Sequence, residues 1–134
     1  GGVLEVKCPF NRGSPREARP PHAAQWYYMA QVQGLMEVFD REWCDLWVWT
    51  VNGSAIFHIT RDRRYWRLCH EALASFWWEH AVPARLELQA GRPLAAESHR
   101  PTAAHRLAPD IIAMSRAMAS SAPRVMVPPG GGKG

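Results

Sequence analysis

The chain has 134 residues, seven of them Trp, and a formal net charge of +4. That length supports one domain with a modest core, and the lack of any apolar run of about 18 residues argues against a helical membrane span. Residues 1–90 hold ten Lys/Arg against ten Asp/Glu and residues 91–134 hold six against two, so the basic excess lies in the C-terminal segment and makes no general case for a nucleic-acid partner.

The chain opens directly on Val3-Leu4-Glu5-Val6-Lys7-Cys8, a strand pattern stopped by Pro9, with no signal-peptide segment ahead of it; this start implies that the natural N-terminus lies upstream. Alternation puts Val3, Glu5 and Lys7 on one face and Leu4, Val6 and Cys8 on the other. The strand is expected at the centre of a sheet, with Glu5 and Lys7 in a cleft and Leu4 and Val6 buried on the opposite side. A carboxylate and an ammonium at this spacing form either a surface ion pair or a reacting pair. In the second case Glu5 holds a divalent metal and Lys7 steadies an attacking water or a developing phosphate charge.

Residues 9–22 read as a loop, since Pro9, Pro15, Pro20 and Pro21 oppose regular structure and Gly13-Ser14 marks a turn. Its Arg12, Arg16 and Arg19 make it either a solvated connector or a mobile basic loop that touches a phosphate backbone. A helix is predicted over residues 23–40. Met29, Val32, Met36 and Phe39 share a buried stripe, and Tyr28, Gln31 and Leu35 form the stripe beside it. Gln33 is rotated about 200° from Gln31 on the helical wheel, so it is expected to face elsewhere and serve structure.

Asp45 to Val51 is rich in aromatic and β-branched residues and reads as a strand. Asn52-Gly53 predicts a two-residue hairpin turn, after which Ser54 to Thr60 returns antiparallel. Trp47 and Trp49 share a face and are expected to pack in the core rather than stack on bases; His58 reads as polar filler. A helix opens at Arg61-Asp62-Arg63-Arg64, capped by Thr60 or Asp62. Its buried stripe is Trp66, Cys69, Leu73, Phe76 and Trp77, with Arg63, Arg64 and Arg67 toward solvent. Pro83 kinks or restarts the helix, and Gly91 and Pro93 end it. Residues 92–134 turn to Ala, Pro, Gly, Ser and Arg. They are expected to be a disordered tail, dispensable for folding, apart from a short helix over 110–119. The closing Gly130-Gly131-Gly132-Lys133-Gly134 lacks the strand, the helix and the Ser/Thr of a phosphate loop. Cys8, Cys44 and Cys69 form no C-x-x-C pair and read as reduced, buried thiols.

Two segments together are more specific than either alone. Leu4-Glu5-Val6-Lys7-Cys8-Pro9-Phe10 and, on the following helix, Tyr27-Tyr28-Met29-Ala30-Gln31-Val32-Gln33 closely resemble, in this order and at this spacing, the YqaJ viral-recombinase family of the PD-(D/E)xK nuclease superfamily. The resemblance covers roughly residues 2–90. It implies an α/β fold with a restriction-endonuclease-like core, a mixed β-sheet flanked by helices, of which residues 1–91 carry the C-terminal part. It implies a metal-dependent DNA exonuclease acting in recombination or repair, using Mg²⁺ or Mn²⁺. Glu5 and the backbone carbonyl of Val6 then hold the metal, Glu5, Lys7 and Gln31 carry catalysis, and Tyr28 lines the site; Arg12, Arg16 and Arg19 add DNA contacts. The implied partners are double-stranded DNA ends, a homo-oligomer and a single-strand annealing protein, in an intracellular setting without a membrane. The family pattern also places a metal-binding Asp on the strand before Glu-x-Lys, and only Gly1 and Gly2 precede Val3. The alternative is therefore a catalytically inactive DNA-binding or assembly remnant.

Overall fold

The computed structural model describes residues 1–125; the rejected phosphate-loop run at 130–134 lies outside the described residues. Two compact units are present, one made of Gly1–Asp62 with the segment from Ala113 onward, the other of Arg63–Ile112.

The first unit is built on a four-stranded mixed sheet. β1 (Val3–Lys7), β2 (Trp43–Thr50), β3 (Gly53–Thr60) and β4 (Arg124–Val125) follow in that order across it. β1 runs parallel to β2, and the other neighbours are antiparallel. A parallel pair needs a crossover, which contains α1 (Met29–Val38). Strict alternation buries Cys44, Leu46 and Val48 of β2 and Ala55, Phe57 and Ile59 of β3. Met29, Val32 and Met36, one stripe of α1, are also fully buried, and α1 packs on β1 and β2. Phe39 is half exposed and leaves that stripe, because α1 has already ended at Val38.

β1 lies at the edge of the sheet, not at its centre as expected. Leu4 and Val6 are 58% and 46% exposed instead of buried, since the sheet face they share with Asp45, Trp47 and Trp49 carries no fully buried residue. Cys8 and Trp49 are exposed as well, against expectation. The hairpin turn falls one residue early. Thr50 pairs with Gly53, so Val51 and Asn52 make the turn. Gly53 then takes φ 126°, a conformation that a side chain resists.

The displaced Asn52 has a use. Its side-chain amide donates to the carbonyls of Arg16 and Ala18, both at 2.8 Å. It thereby pins the loop over 9–22, which contains two 3₁₀ turns, Asn11–Gly13 and Pro15–Glu17. Asn52→Ala is expected to free this loop, and faster tryptic cleavage after Arg16 in the folded protein checks it.

The first helix also starts later than predicted. Gln25 is extended, Trp26–Tyr28 forms a 3₁₀ turn, and only then does α1 begin. Gln33 is fully buried. Its amide donates to the Thr60 carbonyl at 2.8 Å and its oxygen accepts from the Asp62 N–H at 2.8 Å, so it ties α1 to the end of β3. Arg61 is a second tie. Its side chain, 6% exposed, bonds Glu37 at 2.6 Å and Asp40 at 2.8 Å, with Glu42 at 3.4 Å. The hydrogen bonds that Arg61 donates to Asp40 and Glu37 raise the guanidinium's pKa further above its ordinary value. Asp40 is left-handed at φ 49° and closes α1, with Arg41 N–H donating to the Met36 carbonyl at 2.8 Å.

The second unit is helical: α2 (Arg63–Phe76), a π-helical turn (Trp77–Ala81), α3 (Val82–Gln89) and α4 (Pro93–Glu97). Pro83 cannot donate to the helix ladder, and the π turn directly before it absorbs the break. Gly91, at φ 73°, closes α3, with Arg92 N–H donating to the Glu87 carbonyl at 2.9 Å. The predicted buried stripe of α2 holds at Cys69 and is joined by Tyr65. Leu73, Phe76 and Trp77 are instead about half exposed, so burial fades along α2 before the π turn begins.

The expected disordered tail differs most. Residues beyond Arg92 carry α4, then α5 (Ala108–Ser121), which contains the short helix expected over 110–119, and then β4 paired to β3. Ser115 and Ala119 of α5 are buried and Ile111, Met114 and Met118 on the same face are half-buried, a short apolar stripe at helical spacing. No helix among the described residues is long and apolar enough to cross a membrane.

Candidate active site

β1 carries Glu5 and Lys7 on the face toward α1, and the first turns of α1 carry Gln31 to meet them. Lys7 Nζ lies 2.7 Å from Glu5 Oε1 and donates to Gln31 Oε1 at 2.6 Å. Gln31 Nε2 in turn donates to Glu5 Oε1 at 2.9 Å. These three contacts close a triangle across a strand and a helix. The Glu5 and Lys7 side chains keep 20% and 18% of their surface, so the charges are shielded but reachable. Lys7 Nζ also sits 4.9 Å above the centre of the Tyr28 ring, a cation–π contact that limits where the ammonium swings.

Four of the residues singled out by the sequence, Glu5, Lys7, Gln31 and Tyr28, are thus brought together. Val6 lies between Glu5 and Lys7 in register with Trp47, its side chain on the opposite face. Arg12, Arg16 and Arg19 stay exposed on the pinned loop and make no contact with the triangle. Tyr27 stands in the segment that carries the resemblance, but neither it nor Trp26 was expected at the site. Tyr27 packs edge-on against Tyr28 with centroids 4.6 Å apart, and Trp26 against Tyr27 at 6.0 Å. Burial, then the charge and hydrogen bond of Tyr28, push the Tyr27 phenol up.

Cys44 lies under this cluster, paired with Val3. Burial pushes its thiol up to about 11, with Glu5 and Asp45 adding to the rise and the Glu5 backbone hydrogen bond opposing it. It is a neutral packing group at ordinary pH, not a thiolate ligand. The unfolded thiol ionises first, so its contribution to stability holds below the ordinary thiol range and is lost as pH rises toward about 11. Labelling of the native protein with iodoacetamide is expected to modify exposed Cys8 and spare Cys44 and Cys69 up to pH 9. Mass spectrometry of the labelled peptides checks it.

The divalent ion implied by the resemblance can be tested against these donors. Mg²⁺ takes six oxygen ligands and Mn²⁺ prefers a similar set. The triangle offers one carboxylate, already engaged by Lys7 and Gln31. Among the described residues no group of three or more His, Cys, Asp and Glu is placed to hold a metal ion. The residues present do not by themselves fit such an ion.

His58 and Asp45 face each other across β2 and β3 at 2.7 Å. This pair is away from the triangle, on the sheet face that carries Leu4 and Val6, and agrees with a polar, structural reading of His58. A comparison with protein-family models, with curated proteins and with solved structures finds no match to this chain.

Proposed function

We propose that this chain carries the Glu-x-Lys arm of a DNA exonuclease of the YqaJ type, on the C-terminal part of a restriction-endonuclease-like core. One observation carries the reading: residues 24 and 26 apart in sequence close into a single Glu5–Lys7–Gln31 triangle. In that role Lys7 places a positive charge where negative charge grows on a phosphate undergoing attack. Glu5 accepts the hydrogen bonds that fix Lys7 and Gln31. Gln31 holds both at once, and the Tyr28 ring backs the ammonium. Mg²⁺, the family's ion, requires a second carboxylate that the described residues do not bring here. The open edge of β1 is where a strand bearing one pairs. The partners proposed are double-stranded DNA ends, with a homo-oligomer and an annealing protein in recombination or repair, inside the cell.

The single carboxylate favours a second reading, a DNA-binding or assembly module without hydrolytic activity. Mg²⁺-dependent nucleotide release from linear duplex, measured with and without chelator, separates the two. Release that appears once an Asp-bearing strand is supplied supports the nuclease. Its absence in a folded, strand-completed protein overturns that reading.

A further inference from the structure

Three aromatic rings in a row leave the triangle along the surface. Their spacing is uneven in one informative way. Lys7 Nζ lies over the Tyr28 ring at 4.9 Å, and the Arg116 guanidinium, from α5, lies over the Trp26 ring at 5.3 Å. Tyr27, between them, carries no cation among the described residues and is 55% exposed, against 38% for Trp26. The rings beside it are inclined to it at 63° and 78°, and more than half of its surface stays open. Arg116 has no carboxylate partner among the described residues, so its charge is not neutralised locally. The result is a half-exposed ring between two rings that each carry a cation, Lys7, also paired with Glu5, on the Tyr28 side and Arg116 on the Trp26 side.

We infer that Tyr27, with Arg116 and Lys7 on its flanks, is a stacking subsite for an unpaired nucleotide of single-stranded DNA. One base lies on the Tyr27 ring and the adjoining phosphates are held by the two cations. Exposed aromatics bind any base through its π-face, and flanking cations bind the backbone, which is the pattern of sequence-tolerant single-strand recognition. A blunt duplex keeps its bases stacked on each other and gains nothing from Tyr27. The inference rests on the nuclease reading for its biological setting, because the subsite adjoins the Glu5–Lys7–Gln31 triangle. It names the form of substrate that enters there: a frayed or single-stranded end.

Anisotropy of a short fluorescent oligothymidylate, set beside a blunt duplex of equal length, tests it, with chelator present so that no cleavage intervenes. Tyr27→Ala is expected to weaken oligothymidylate binding about tenfold and to leave duplex binding unchanged. Tyr27→Phe, which keeps the ring, retains most of the affinity. Arg116→Ala should weaken binding and flatten its salt dependence by about one unit of slope. Unchanged oligothymidylate affinity in Tyr27→Ala, equal losses for single strand and duplex, or no binding by the parent chain would each overturn the subsite. The nuclease reading is judged separately, by nucleotide release in the strand-completed protein. Tyr27-dependent binding without any release keeps the subsite and sinks the nuclease.

Discussion

Supplied with an Asp-bearing strand along the open edge of β1, the protein is expected to release nucleotides from linear duplex DNA in Mg²⁺, and Glu5→Ala or Lys7→Ala to stop that release. The expectation rests on charge. A hard cation is retained by several anionic oxygens, and Glu5 alone is one carboxylate already shared between an ammonium at 2.7 Å and an amide at 2.9 Å. A second carboxylate changes the balance: it competes for Lys7 and leaves Glu5 oxygens for the ion. Losing Lys7 removes the cation placed where charge builds, an effect of about 10²–10³ in rate. Gln31→Ala, which removes a neutral group that orients its neighbours, should cost about tenfold. Unchanged circular dichroism and thermal midpoint in each variant separates lost chemistry from lost folding. Chelator-resistant release, or full release with Glu5→Ala, would place the reacting centre elsewhere.

The triangle was legible in two steps: strand alternation puts Glu5 beside Lys7, and the family resemblance, rather than any period, brings Gln31 to them. Glu5 and Lys7 are two apart on a strand, and Gln31 lies on the border of an apolar helical stripe. Neither fact depends on the rest of the fold. What stayed illegible depended on long-range contacts. Whether β1 is central or at an edge is decided by which strands pair with it, and the apolar run Val3 to Cys8 looks alike in both cases. The Asn52-Gly53 signal marked the hairpin correctly but not its register, because Asn52 is drawn to the carbonyls of Arg16 and Ala18, more than thirty residues away. In the sequence Arg61 is only the first residue of the run that opens the next helix. Only the fold gathers Glu37, Asp40 and Glu42 around it. The segment past Arg92 misled for a compositional reason. The face of α5 that buries Ser115 and Ala119 also half-buries Ile111, Met114 and Met118, a short stripe set among the Ala, Pro, Gly, Ser and Arg of the rest of the segment.

Gln31 and Gln33, two residues apart on α1, are expected to give opposite results. Gln33→Leu should lower unfolding stability by about 2 kcal/mol in a urea titration, since it removes two buried hydrogen bonds and strips the Thr60 carbonyl and the Asp62 N–H of that partner. Leucine is close to glutamine in volume, so the loss reports polar satisfaction rather than a cavity. The same change at Gln31 should shift stability by less than about 0.5 kcal/mol, because that side chain is exposed and its partners remain open to water. It frees Lys7 and Glu5 to pair without the amide between them, so its effect belongs in nucleotide release. A helix that starts at Met29 places the two glutamines about 200° apart. One therefore looks along the sheet edge toward Glu5 and Lys7, and the other looks inward to the end of β3. Equal destabilisation by both substitutions would mean that the triangle is a structural clasp like Gln33, and the Glu5–Lys7–Gln31 cluster would lose its claim to be a reacting centre.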